Sequence, residues 1–462
     1  MKKTALIFIL IVVNSLNVLS QIPHLRGEIK ISILNGTIES DLEYSNLPKL
    51  TNYCIWLNTG LNIKYFRDAD DKFNYGKIKS YDDDKRSEAF QYYFPTKGNK
   101  GMFLPNKFKI NYVGKFPVIR DTLRASNDGD WKGNIAFNRK SIRATEQSTW
   151  YPVLYDKEND VVLDKVTYDI TINCEDCKAI YLNGSAPVYG NSANFKSDKA
   201  VSLMLFAGLF DFNKNKNTYF INTGLEKEQE DVLSDWTEKI IKFYEKKLKM
   251  PYGENITFLY STPISKGNAW MFVTYPTIAT IYPEKLGMKY YFELNTNKLK
   301  NYSEIEIYAH EFGHYYFGTV IDPNSDLHWF FLEGLTEYLA LQTTKEVIGE
   351  ENYKKKIESY LKRTKDFIPK PLSIVKDNEV DNNYRYDYAP LLITALEKEV
   401  GKEKVWNWLR TILNSDKQVK SDYIFFKATL LKSGISEKEF KDFEVKYILS
   451  DNAKVNVYNS VK

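Results

Sequence analysis

Between residues 22 and 205 the apolar and polar positions alternate in short runs. CIWLNTGLNIKYF (54–66), FKINYVGKF (108–116), VTYDITIN (166–173) and KAIYLNG (178–184) mix period-two alternation with β-branched and aromatic residues. Clusters of Gly, Asn, Asp and Pro separate them. Successive side chains on a strand point to opposite faces, so this pattern predicts β structure. Near residue 224 the period changes. LEKEQEDVLSDWTEKIIKFYEKKLKM (225–250) has apolar residues at helical spacing, acids at its start and bases at its end, and Pro251 and Gly253 to stop it. ITFLYSTP, SKGNAWMF and KYYFELN then predict strands, the second after a turn. From about 340 onward the chain reads as helices: KEVIGEENYKKKIESYLKRT, APLLITALEKEVG, EKVWNWLRTIL, FFKATLLKSG and EKEFKDFEVKYILSD have apolar faces and short connections, the pattern of a helical bundle.

Between the strands and the bundle lies the stretch with the clearest chemistry, residues 303–338. It contains HEFGH, with His310, Glu311 and His314. At 3.6 residues per turn the two histidines fall one above the other on one helix face, where they can share a metal ion. Glu311 follows the first of them and can reach a water on that ion, the signature of a zinc hydrolase with Glu as general base. Ser303 and Glu306 form a capping-box pattern that predicts a helix start. Gly318 and Asp322-Pro323 predict its end. A second helical run is expected from about Asp326, carrying Glu333 in FLEGLTEY, which would complete the three protein ligands of a hydrolytic zinc site. Glu337, four residues on, faces the same side and is a candidate partner for a ligating imidazole N–H. The chain has four histidines, and two stand in this motif.

HExxH, eighteen residues (315–332) and then Glu in an EGLTEY context resembles the gluzincin metallopeptidases of the aminopeptidase N family. The resemblance implies an α+β multidomain protein: an N-terminal β domain over 21–205, a thermolysin-like zinc catalytic domain over 206–345, and a C-terminal helical bundle over 346–462. It implies one Zn²⁺ per chain on His310, His314 and Glu333, with Glu311 as base. It also implies a tyrosine, three residues before a helix, that donates to the oxyanion. Aligning RYDYAPLLITALEKEVG puts Tyr386 there, although Tyr388-Ala389 stands where the family has Lys-Gly, and Tyr384 and Tyr388 compete. The substrate would be a peptide, with an aminopeptidase-type reaction expected first. Endopeptidase activity with relaxed terminus specificity, or a non-catalytic binding scaffold, are the alternatives. They arise because Trp270, in GNAWM, stands where the family has the Glu of Gly-Ala-Met-Glu-Asn that holds the substrate amine. ATEQSTWYP (144–152) offers Glu146 and Gln147 as contributors to the cleft, with a solvated loop the more ordinary reading. The larger family members carry a long helical domain beyond the bundle that has no counterpart here, so a more open cleft is expected.

Lys2 and Lys3, the apolar run Leu6–Val13 and the small residues Val18 and Ser20 read as a signal peptide cut before Gln21, implying an exported chain, periplasmic or secreted. No later run is long and apolar enough to predict a transmembrane helix. The formal charge is +4, of which Lys2 and Lys3 supply two, and there is no basic patch, so nucleic acid is not an expected partner. Cys174 and Cys177, as CEDC between two predicted strands, admit a redox pair or half a metal site; a turn with a local disulfide or two free thiols is the simpler expectation. Cys54, in YCIWL, is expected to be a buried small hydrophobe. The run KSYDDDKRSE (79–88) is expected to be a charged loop.

Overall fold

A computed structural model describes residues 21–68, 71–79, 89–96, 103–117, 132–261, 270–281, 287–415 and 420–462, and of Trp270 the backbone. The expected leader (1–20), most of the charged loop (80–88) and Gly267–Ala269 lie outside these. The chain forms two compact units. One comprises the residues up to Lys214 with Tyr219–Gly224 and Thr257–Met288; the other comprises Asn215–Thr218, Leu225–Ile256 and Lys289–Lys462.

The first unit is built from β-sheets, as the alternation predicts. A seven-stranded sheet places Lys165–Cys174 parallel to His24–Ser32, which pairs antiparallel with Thr37–Ser45, and that strand with Phe108–Lys115. Lys165–Cys174 buries every second residue along its length, so one face carries Val166, Tyr168, Ile170 and Ile172 into the core. Cys54 is buried in the same core, as expected. The strands Thr257–Tyr260, Thr277–Ile281 and Trp270–Thr274 also belong to this unit. Leu259, Ala279 and Phe272 share a hydrophobic cluster with Tyr181, Met204 and Phe206, and Tyr181 Oη lies 2.5 Å from Thr277 Oγ1. The stretch 206–345, expected as one catalytic domain, is therefore divided: its strands join the β unit because their apolar side chains complete that core, and its helices lie in the second unit.

The second unit is helical: α1 (Lys227–Leu248), α2 (Ser303–Gly313), α3 (Leu335–Thr343), α4 (Glu350–Arg363), α5 (Ala389–Val400), α6 (Lys402–Leu413), α7 (Tyr423–Lys432), α8 (Glu437–Phe443) and α9 (Ala453–Val461). KYYFELN (289–295), expected as a strand, begins inside a 3₁₀ turn, Gly287–Tyr291. Met288 and Tyr291 are both fully buried and stand three apart, the spacing of that turn and not of a strand. The helix expected over 345–364 is broken at Gly349, whose φ of +145° is not helical, into a π-turn (Thr344–Ile348) and α4.

Candidate metal and catalytic site

α2 starts at Ser303, as the sequence predicts, but without the expected capping box. Ser303 lies inside the first turn, and Asn301 Oδ1 accepts from its backbone N–H at 2.8 Å. Glu306 turns away from the helix end and lies 3.8 Å from Lys356 Nζ. The helix ends at Gly313, earlier than the Gly318 break predicts, with His314 as its last αR residue.

Both histidines aim Nε2 at one carboxylate. Glu333 Oε2 lies 3.1 Å from His310 Nε2 and 3.3 Å from His314 Nε2, and one donor atom from each residue fits within 4.8 Å. Glu333 sits on a π-turn, Phe330–Gly334, that leads into α3. Such wide turns recur at functional sites, where they re-aim a side chain. Two glycines bring the carriers together. A Cβ on Gly313 would meet Thr336 Cγ2 at 2.9 Å, so α2 and α3 touch along their backbones. A Cβ on Gly334 would meet Ala389 Cβ at 2.7 Å, which presses the Glu333 turn against the start of α5.

Glu337 takes the other nitrogen of the first imidazole, with His310 Nδ1 to Glu337 Oε2 at 2.7 Å. Its second oxygen accepts from Tyr360 Oη and from Lys356 Nζ, the latter at 3.1 Å. Burial alone would lower the pKa of His310, but Glu333 and Glu337 at its two nitrogens outweigh burial and push it up to about 10. Burial raises Glu337, yet Lys356, His310 and Tyr360 together hold it at about 2; Glu333 is likewise held well below the usual carboxylate range, by both histidines against burial.

Tyr386 lies on another π-turn, Tyr384–Tyr388, its ring centroid 5.8 Å from that of His310. Arg385 stacks over both Trp329 (4.3 Å) and the Tyr386 ring (5.1 Å). Burial, then the charges of Glu333 and Glu311, push the phenol well above its ordinary range, so it stays a proton donor. Tyr384 and Tyr388, the competing tyrosines, face elsewhere: they pack on one another and on Phe367, and Tyr384 Oη donates to Lys370 O. Glu311, His310 and Tyr386 line one cleft of about 610 Å³. α4 also lines it, through Asn352, Lys356, Ser359 and Arg363. The sequence does not single these out, although their spacing of four, three and four is a helix-face stripe beside the buried stripe Tyr353, Ile357 and Tyr360.

Two residues weighed for substrate contact lie in the first unit. Glu146 is not in a solvated loop. It is buried in a 3₁₀ turn, with Lys132 Nζ at 2.6 Å and Thr274 Oγ1 at 3.1 Å. Trp270 begins an edge strand, paired with Ile281. Cys174 and Cys177 are joined in a disulfide. Among the described residues no helix is long and apolar enough to cross a membrane.

The donor set fits zinc. Bonds of about 2.0–2.2 Å to tetrahedral N and O donors would set neighbouring donors about 3.3–3.6 Å apart, close to the separations of Glu333 Oε2 from the two Nε2 atoms.

No family model and no curated protein matches the sequence. Solved structures do match. Native yeast LTA4 hydrolase aligns with a TM-score of 0.64 at 14% identity, over 92% of this chain and 66% of that one. The M1 zinc metallopeptidase from Deinococcus radiodurans aligns with a TM-score of 0.60 at 10% identity, over 93% and 94%. A mutant of that peptidase bound to a Tyr-Ser-Ala substrate aligns with a TM-score of 0.62 at 13% identity, over 91% and 92%. The chain thus spans less than two thirds of the yeast enzyme and nearly all of the bacterial one. At these identities the likeness is one of architecture: the N-terminal β region, the mixed middle and the helical C-terminal region have the fold of the M1 zinc metallopeptidases.

Proposed function

We propose that this chain is a zinc-dependent metallopeptidase, with His310, His314 and Glu333 as ligands for one Zn²⁺ and Glu311 as general base. The observation that carries it is the convergence of both Nε2 atoms on the Glu333 carboxylate, beside a cleft that His310, Glu311 and Tyr386 line. Bound there, zinc would supply a Lewis acid and a water acidic enough to attack near neutral pH. Glu311 takes the proton of the attacking water and delivers it to the leaving amine. Tyr386, kept protonated by burial, donates to the oxygen on which negative charge develops. Glu337 fixes the tautomer and ring angle of His310, and Lys356 and Tyr360 hold Glu337 in place.

An aminopeptidase-type reaction is the first reading, from the likeness in fold and motif. Yeast LTA4 hydrolase has been solved with bestatin, and the Deinococcus peptidase mutant holds a Tyr-Ser-Ala substrate, which supports a peptide as the ligand class. A specific observation favours relaxed terminus specificity as the second. Trp270 replaces the expected amine-binding Glu, and the Glu146 carboxylate is already held by Lys132 and Thr274. A peptide panel with free and N-acetylated ends separates the two. Under relaxed specificity the paired substrates differ by less than about tenfold in kcat/KM, or about 1.4 kcal/mol. A much larger loss on acetylation restores strict aminopeptidase action. Cleavage of no peptide by zinc-loaded protein leaves a binding scaffold.

The chain is further proposed to be exported, periplasmic or secreted, on the charged and apolar pattern of residues 2–13. The Cys174–Cys177 disulfide accords with an oxidising compartment. Intact-mass measurement of native protein should give an N-terminus at or near Gln21; retention of Met1 would reject export by cleavage.

A further inference from the structure

The cleft is lined by charges of unequal accessibility. Glu306, Glu337 and Lys356 are mostly covered and paired with one another. The cations that reach solvent are Lys355 and Arg363, whose side chains are 66% and 51% exposed. Lys355 is paired with exposed Glu351, one turn away, a weak pair. Arg363 is different, because its plane is fixed. Nε and Nη2 both donate to Oδ1 of buried Asp387, at 2.8 and 2.6 Å, and Nη1 donates to Ser359 Oγ at 2.6 Å. The guanidinium also lies over the Tyr360 ring, 5.3 Å from its centroid. A guanidinium has five N–H donors. Three are used in these bonds, which leaves one N–H on each terminal nitrogen for the oxygens of a ligand. Both Arg363 and Ser359 line the same cleft as His310, Glu311 and Tyr386.

We propose that Arg363, oriented by Asp387 and Ser359, anchors a carboxylate of the bound peptide, making the cleft selective for acidic ligands. The proposal rests on the peptidase reading of the same site and names the substrate class. A side chain held by its own protein loses little freedom when it binds, so more of the ion-pair energy is available for affinity. A lysine would present only a point charge. The carboxylate could be an Asp or Glu side chain or the peptide's C-terminus, and the test separates these.

The zinc-loaded Glu311→Gln protein, in which turnover should be blocked, is titrated calorimetrically with four versions of one short peptide. These are a neutral peptide with a free C-terminal acid, its C-terminal amide, the amide with one Glu, and the amide with Gln at that position. Either the free acid or the Glu peptide should bind about 10- to 100-fold tighter than its neutral counterpart. Which one does identifies the source. Adding Arg363→Gln should bring the paired affinities within about twofold. Arg363→Lys, which keeps the charge and is the milder change to the fold, should retain only part of the preference. Melting curves confirm that each variant is folded. Equal binding of all four peptides, or a preference that survives Arg363→Gln, overturns the anchor. Cleavage of the panel by wild-type protein without carboxylate preference removes the anchor and leaves the peptidase. A carboxylate preference in binding with no cleavage of any peptide removes the peptidase and leaves the anchor.

Discussion

Among the described residues two groups of side chains have the composition of a metal site: Cys174, Asp176 and Cys177 in the β unit, and His310, His314 and Glu333 in the helical one. Their donors are in different states. The two sulfurs are bonded to each other. Asp176 accepts from Ser32 Oγ and from the backbone N–H groups of Ile33 and Leu34, each at 2.8 Å, which staples the CEDC turn to the hairpin between His24–Ser32 and Thr37–Ser45. In the helical unit Glu337 engages the outer nitrogen of His310, while both Nε2 atoms and a carboxylate oxygen converge on one point. What separates a staple from a metal site is which lone pairs are already occupied, and residue type does not report that.

The largest effect should come from the ligands. His310→Ala or His314→Ala is expected to reduce zinc from about one equivalent per chain to under a tenth and to take peptide hydrolysis to background, whereas Cys174→Ser with Cys177→Ser keeps the full equivalent. Elemental analysis of the purified proteins reads both; zinc lost with the cysteines would invert the comparison. Tyr386→Phe should retain zinc and lose about 10²–10³ in kcat, while Tyr384→Phe and Tyr388→Phe, whose rings face Phe367, should not show that loss. Steady-state kinetics on the three variants would expose a misassigned tyrosine. Glu337→Gln should weaken zinc binding by about 10–100-fold, measured by competition with a chelator; unchanged affinity would make Glu337 a packing residue. The smallest effect is on the staple. Removing a cross-link that closes so short a loop should cost about 2 kcal/mol of stability, visible in denaturant melts, with peptide hydrolysis unaltered.

The meeting of His310 and His314 on one helix face was legible because a step of four residues brings two side chains to the same side. The choice among Tyr384, Tyr386 and Tyr388 was not, because a π-turn changes the phase at which side chains leave the backbone. Glu306 was misread as a cap because its partner, Lys356, lies fifty residues further on. A separation of 24 residues likewise hid Arg363 and Asp387, whose meeting depends on where α4 packs. In the β unit, alternation identified the strands. It did not show that Thr257–Tyr260 would join that unit, since a buried strand carries no record of which sheet it completes, and Thr277–Ile281 was not singled out as a strand at all. Glu146, polar and set among Thr, Gln and Ser, looked solvated; its burial depends on Lys132, fourteen residues earlier.

The central claim is that Glu311 moves the proton in a zinc site built by its neighbours. Glu311→Gln keeps the shape of the side chain and removes its ability to accept a proton at neutral pH. Zinc content and hydrolysis of a free-amine peptide should be measured on the same preparation of this variant and of wild type. The account predicts one equivalent of zinc in both and turnover in wild type alone. Near-wild-type turnover by zinc-replete Glu311→Gln protein would contradict it.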